Sequence, residues 1–247
     1  MPPNELGTFF EHLDELRKRL MISLGAFFAA LIVPFMCADR LVDFLARPLV
    51  RVVPTVYFFS PADAFLVKIK VSLLAAVVLS SPVVLGQAWL FVSPALYGHE
   101  KKALLPLIFI TSGLFIFGAV FSFYTVIPLA LHFLIGMQTP FMQPLVSVSE
   151  YLSFLTTMVI AFGVAFNLPV LVLALAGAGI LNVKTIQKFH RFVIVAIFIA
   201  AAVMTPGPDI ASQLLLAVPM ILLFEISVLA VWVIEKARAK KRAETFA

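Results

Sequence analysis

Six stretches of nearly unbroken hydrocarbon, at about 20–37, 66–92, 103–131, 151–181, 189–204 and 210–234, constrain this chain more than anything else in it. A bilayer core about 30 Å thick takes roughly 20 apolar residues per helical span. Each run is too long or too uniformly apolar to be one face of a surface helix. The 247 residues are 62% hydrophobic and only 13% charged, far outside the range of soluble domains. The sequence therefore predicts an all-α, polytopic membrane protein: six transmembrane helices in one membrane domain over 1–247, with loops too short to hide a soluble domain. A single cysteine, Cys37, excludes an internal disulfide and any Cys-rich metal site. The opening "MPPNELGTFFEHLDE" is acidic and lacks the basic start of a cleaved signal peptide, so the first span is expected to carry targeting.

The Lys and Arg residues sort strongly by loop. Arg17, Lys18 and Arg19 precede the first span, Lys101 and Lys102 lie between the second and third, and Lys184, Lys188 and Arg191 between the fourth and fifth. Lys236, Arg238, Lys240, Lys241 and Arg242 form a basic tail within 235–247. The opposite side holds only Arg40, Arg47 and Arg51, with Lys68 and Lys70 in the first turns of the second span. By the positive-inside rule both termini are expected in the cytoplasm, N-in and C-in. The net charge of +5 records this bias and a tail suited to anionic lipid, and gives no sign of nucleic-acid binding.

The outer segments differ in kind. In "DRLVDFLARPLV", Leu41, Phe44, Leu45 and Leu49 fall on one helical face, predicting a short amphipathic helix along the interface that ends near Pro48. Ser149 followed by Glu150 reads as the start of the fourth span, and "TPGPD" as a very tight last outer turn. Only 14 positions separate Arg191 from Thr205, so the apolar part of the fifth span covers roughly 21 Å at 1.5 Å per residue. A concave bundle with short fifth and sixth helices is expected. The same arithmetic moves Glu225 toward the cytoplasmic face. There it is either an interfacial acid held by a Lys or Arg, or a functional group, and the sequence leaves the two readings even.

Polar residues inside spans are expensive enough to require a reason. Gln87, Asn167 and Gln213 stand out, and for Asn167 the simplest reading is an interhelical hydrogen bond. Pro34, Pro82, Pro106, Pro128, Pro169 and Pro219 each free a carbonyl and invite a kink. No phosphate loop, no HExxH and no Cys/His ligand spacing occurs, so no catalytic residue, cofactor or metal is expected. His12, His99, His132 and His190 are scattered over loops and helix ends.

Charge concentrates instead at "EHLDELRKRL", residues 11–20. Thr8 and Glu11 have capping-box spacing, so a cytoplasmic helix over about 8–19 is expected to run into the first span. Asp14 with Lys18 and Glu15 with Arg19 are spaced as i,i+4 pairs, each worth a few tenths of a kcal/mol. Taken alone the stretch is a self-neutralised collar. A second inner stretch, "WLFVSPALYGHEKK" at 89–102, reads as the loop between spans two and three and again sets one acid, Glu100, among bases and aromatics. By itself Glu100 could cap the third helix.

"HLDELRKRL" and "FVSPALYGHEKK", followed by "FGVAFNLPV" and "TPGPDIASQLLLAVPMILLFE", resemble the TatC family, the receptor subunit of the twin-arginine protein translocase, over about residues 8–234. The resemblance implies a non-enzymatic receptor in the prokaryotic plasma (inner) membrane, driven by the proton gradient. It would bind twin-arginine signal peptides of folded precursors and organise the single-span partners TatA and TatB; self-association is left open. On the matching positions, Glu15 and Glu100 would bind the arginine pair, Phe91 and Pro94 would shape the site, and Arg17 and Arg19 would orient Glu15 and anchor the helix end. Asp209 and Gln213 match the outer turn and the start of the sixth span, near which the partners would bind. Guanidinium groups pair bidentately with carboxylates, a geometry Lys does not reproduce.

One departure is plain. Where many relatives carry glutamate in the fourth span, this chain has Asn167, which hydrogen-bonds but does not ionise. The competing reading is an ion-coupled small-solute secondary transporter with Asn167, Gln213 and Glu225 as its path. An inverted repeat would favour it, and none is visible between 1–127 and 128–234.

Overall fold

A computed structural model describes residues 5–53, 55–96, 104–137, 145–177, 179–204 and 210–245. The described chain is almost wholly helical. Helices α1 (Glu5–Met36), α2 (Ala38–Val50) and α3 (Asp63–Leu96) are followed by α4 (Leu104–Phe121), a π turn (Ser122–Val126) and α5 (Ile127–Gly136). Then come α6 (Val148–Ala165), α7 (Leu168–Gly177), α8 (Val183–Met204) and α9 (Ile210–Thr245). Six segments among them are long and apolar enough to cross a membrane, and the fifth, α8, has 22 residues.

Helix starts differ from the sequence expectation for local reasons. The chain is already helical at Glu5, so Thr8 lies within α1 rather than capping it. The cap of α6 is Ser147, whose hydroxyl accepts the Glu150 amide at 3.4 Å, two residues before the expected start. Ser149 is left to bind Lys70. Helix α8 begins at Val183, capped by the Asn182 side chain, so the Lys184, Lys188 and Arg191 region lies inside it. The stretch Trp89–Leu96, read as loop, continues α3 for two turns.

The prolines act in distinct ways. Pro34 sits in the last turn of α1, and Pro48 lies inside α2, which runs two residues further. Before Pro128 the helix widens into the π turn, which absorbs the backbone mismatch that a ring without an N–H creates. Before Pro169 the fourth span breaks outright: Phe166 and Asn167 form a turn between α6 and α7.

Packing falls into two groups. α1 lies along α3, and α3 packs on α4 and α6, which pack on each other; α7 and α8 each pack on α9. Helix α6 is the most enclosed element, with Leu152, Leu155, Met158 and Phe162 fully buried. Its crossing with α4 is set by glycine: a Cβ on Gly118 would lie 2.5 Å from the Phe162 carbonyl oxygen, and one on Gly163 would lie 2.8 Å from the Phe115 ring. Small residues that let backbones approach are the usual basis of close helix packing in lipid.

Where α2 lies across the bundle end, polar ties hold it. Asp39 pairs with Lys68 at 2.7 Å, and the Tyr151 hydroxyl donates to the Leu45 carbonyl at 2.9 Å. Lys70 donates to Ser149 Oγ at 3.0 Å and Ser153 Oγ at 2.8 Å, and Tyr57 pairs backbone to backbone with the 146–148 segment.

Gly118→Ala is expected to cost about 1–3 kcal/mol, because the new methyl meets backbone and not a flexible side chain. Melting of the purified protein in detergent checks this. Gly113→Ala, with nothing within 4 Å of its Cβ, should leave the melting temperature unchanged or slightly raised.

Candidate functional site

Two rows of side chains meet where the N-terminal half of α1 runs beside the C-terminal half of α3. His12, Glu15 and Arg19 recur at three- and four-residue spacing and share one face of α1; Gln87 and Phe91 do the same on α3. Arg19 joins the rows. Its Nη2 donates to Glu15 Oε1 at 3.1 Å and its Nη1 donates to Gln87 Oε1 at 3.1 Å. Further along, the His12 ring stacks on Phe91, with centroids 4.5 Å apart and an interplanar angle of 23°.

Glu15 and Arg19 are about one-third and one-quarter exposed, so their pair is half shielded from solvent. One group remains open to a guest: among the described residues, Glu15 Oε2 accepts no hydrogen bond. Arg19 Nε has no partner there either, but it is buried. The arrangement offers one open carboxylate oxygen beside a flat imidazole and phenyl platform, which suits a planar cation.

The other residues implicated by sequence fall as follows. Arg17 is exposed, and so are Asp14 and Lys18, whose expected ion pair is absent among the described residues. Phe91 is helical and half-buried, and Pro94 belongs to α3. Glu100 and Asp209 lie outside the described residues.

Asn167 sits at the α6–α7 break, where its Nδ2 donates to the Gly163 carbonyl at 2.9 Å. Its Oδ1 is buried with no partner among the described residues. The expected interhelical bond is thus not made among the described residues; the amide turns back on its own helix. Gln213 Nε2 donates to the Phe198 carbonyl at 2.9 Å and ties α9 to α8. Glu225 lies 3.1 Å from His190 Nε2, so its partner is a histidine of α8 and not a Lys or Arg. Glu235 Oε1 accepts the Val183 amide at 3.0 Å, which closes the other end of the α8–α9 hairpin. Among the described residues, Asn167, Gln213 and Glu225 each have separate partners and make no contact with one another.

His12, Gln87 and His190 carry contacts that residue-by-residue reading missed. The signal was pairwise: Gln87 and Phe91 are i,i+4, and His12 precedes Glu15 by three, so two faces could have been matched.

A family profile described as Sec-independent protein translocase protein (TatC) matches residues 11–219. The chain belongs to the TatC family. A TatC from Magnetococcus marinus is 40% identical over 236 residues, covering 94% of this chain and 87% of the relative. One from Aquifex aeolicus is 39% identical over 224 residues, covering 88% and 92%. A crystal structure of the twin-arginine translocase receptor TatC in DDM superposes with a TM-score of 0.83 at 38% identity, covering 89% of this chain and 99% of that one. With six membrane-long helices, this TatC-family chain is a multi-pass membrane component of a protein translocase.

Gln87→Leu removes one of the two acceptors of the Arg19 guanidinium. It is expected to destabilise the α1–α3 contact by about 1–3 kcal/mol, read as a lower melting temperature, whereas Gln87→Glu should retain the contact.

Proposed function

We propose that this chain is the receptor of a twin-arginine translocation system and binds the paired arginines of signal peptides on folded precursors. The observation that carries the reading is the open Oε2 of Glu15. The carboxylate is held in place by Arg19, which is itself fixed by Gln87, and the His12–Phe91 stack lies beside it. One guest guanidinium would take Oε2 and lie over the ring platform. Glu100 follows the last residue of α3 by four positions and would supply the second carboxylate. Pro94, in the last turns of α3, would set how the chain leaves that helix toward Glu100, while Arg17 would reinforce the basic anchor at the headgroups.

The same reading places both termini in the cytoplasm and the chain in the prokaryotic plasma membrane, with the site facing the compartment where precursors are made. The cluster of basic residues at that end supports the orientation. The α8–α9 hairpin is the surface for the single-span subunits TatA and TatB, because α8 is the span most exposed after α1 and α8 and α9 are tied chiefly to each other. Asn167 would offer its unpartnered Oδ1 to one of those helices, and Asp209 and Gln213 would fix the turn at the far end. The proton gradient would power passage.

Cross-linking a twin-arginine peptide to the purified protein tests the site, with a twin-lysine peptide as control. Glu15→Ala with Glu100→Ala should weaken binding by at least about tenfold, since losing the charge-assisted contacts of both carboxylates is worth more than about 1.4 kcal/mol. Capture that survives both the lysine peptide and the double substitution would overturn the assignment.

A further inference from the structure

The three arginines that defy the charge bias, Arg40, Arg47 and Arg51, all lie on or at the end of α2, at the bundle end where α1 finishes and α3 begins. Two of them border an unusual pair of cavities. The first, of about 490 Å³, is walled by α1, α2, α3, α4 and α6 and is apolar throughout; Val33, Leu41, Leu74 and Ile116 are among its walls. Its rim faces the hydrocarbon, with Val33, Leu79 and Val120 well exposed. The second, of about 270 Å³, is lined by Arg47, Arg51 and His132 together with Pro48 and Pro128. Phe44, Phe123 and Tyr124 line both, so the two adjoin across the Phe44–Phe123 stack.

The charge at the mouth is not neutralised from within. Asp39 is engaged by Lys68 at 2.7 Å. Asp43 shares a shallow depression with Arg47 and Arg51, yet among the described residues neither guanidinium has a carboxylate within 4 Å. Arg47 instead lies over the Phe44 ring, 5.5 Å from its centroid. An apolar slot of acyl-chain character adjoining a basic pocket has the form of one amphipathic ligand with a negative head.

We propose that these adjoining cavities are a specific site for an anionic phospholipid of the leaflet opposite the N-terminus. One acyl chain lies in the slot between α1 and α4, and the phosphate meets Arg47, Arg51 and His132. The proposal does not depend on the signal-peptide reading. A bound lipid would fill the gap between α2 and the bundle, and so brace α2 at the side where α1 leaves α3.

Native mass spectrometry of the purified full chain, stripped of lipid and titrated with phosphatidylglycerol or with phosphatidylethanolamine of identical chains, tests it. Phosphatidylglycerol should be retained about tenfold or more over phosphatidylethanolamine. Arg47→Ala with Arg51→Ala should remove that preference, and Arg47→Lys with Arg51→Lys should keep most of it. Ala75→Phe, which fills the slot without changing charge, should weaken both lipids. Lipid-free melting temperatures of all variants confirm that each is folded; should Ala75→Phe unfold, the arginine pair of variants decides alone. Equal retention of the two lipids, a preference unchanged in the Ala variant, displacement by inorganic phosphate alone, or a second copy of the chain bound in place of lipid would each overturn the proposal.

Discussion

Hydrocarbon offers no hydrogen-bond partner, and most of this structure follows from that constraint. Several hydroxyls inside the spans turn back onto their own helices: Ser72 to Lys68, Ser81 to Val78, Thr111 to Leu107, Ser112 to Ile108 and Ser227 to Leu223. These bonds satisfy the group and specify nothing about its neighbours. The polar contacts that do reach across, from Arg19, Lys70, Tyr151, Gln213, Glu225 and Glu235, lie mostly toward the helix ends and choose which helices pair. Between them the bundle is held by shape, above all where Gly118 meets the backbone at Phe162. Individual interhelical hydrogen bonds in membranes average only about 0.6 kcal/mol. Their role here is alignment, and packing carries the stability.

The break at Phe166 and Asn167 then takes on meaning. It falls between the tightly packed α6 and the α7 that packs on α9, so the point of lowest helical order is also the seam between the two packing groups. An amide bonded to its own helix by one end and unpartnered at the other sits at that seam. Asparagine keeps a polar acceptor there without the pH dependence that a carboxylate would bring.

Much of the architecture was legible because span-length apolar runs are a property of the solvent as much as of the chain. The amphipathic α2 was visible in Leu41, Leu45 and Leu49, which pack on or into the core as their spacing requires. Helix ends were less legible. Ser147 and Ser149 are equally good caps by type, and the choice between them turns on Lys70, which is distant in sequence and needs Ser149 for itself. The site was half legible for the same reason. Glu15 with Arg19 is a local pair, but the Gln87 that fixes Arg19 is 68 positions away, and nothing in either stretch alone states their register. Glu225 showed the limit of charge reasoning, since a Lys or Arg was the expected partner and a histidine of α8 lies beside it.

The π turn at Ser122–Val126 carries a consequence for how this protein can change over time. A π turn takes up one extra residue within the width of a single turn, so the side chains beyond it keep the faces that regular helix would give a chain one residue shorter. Ile127, Ala130 and Leu131, just beyond it, are buried against the core. Loss of one codon inside the turn would therefore close it into regular helix and leave that face inward, whereas loss of one codon after it would turn the wrong side to the core. The stretch is a place where the chain's length can change by one without upsetting the register that follows.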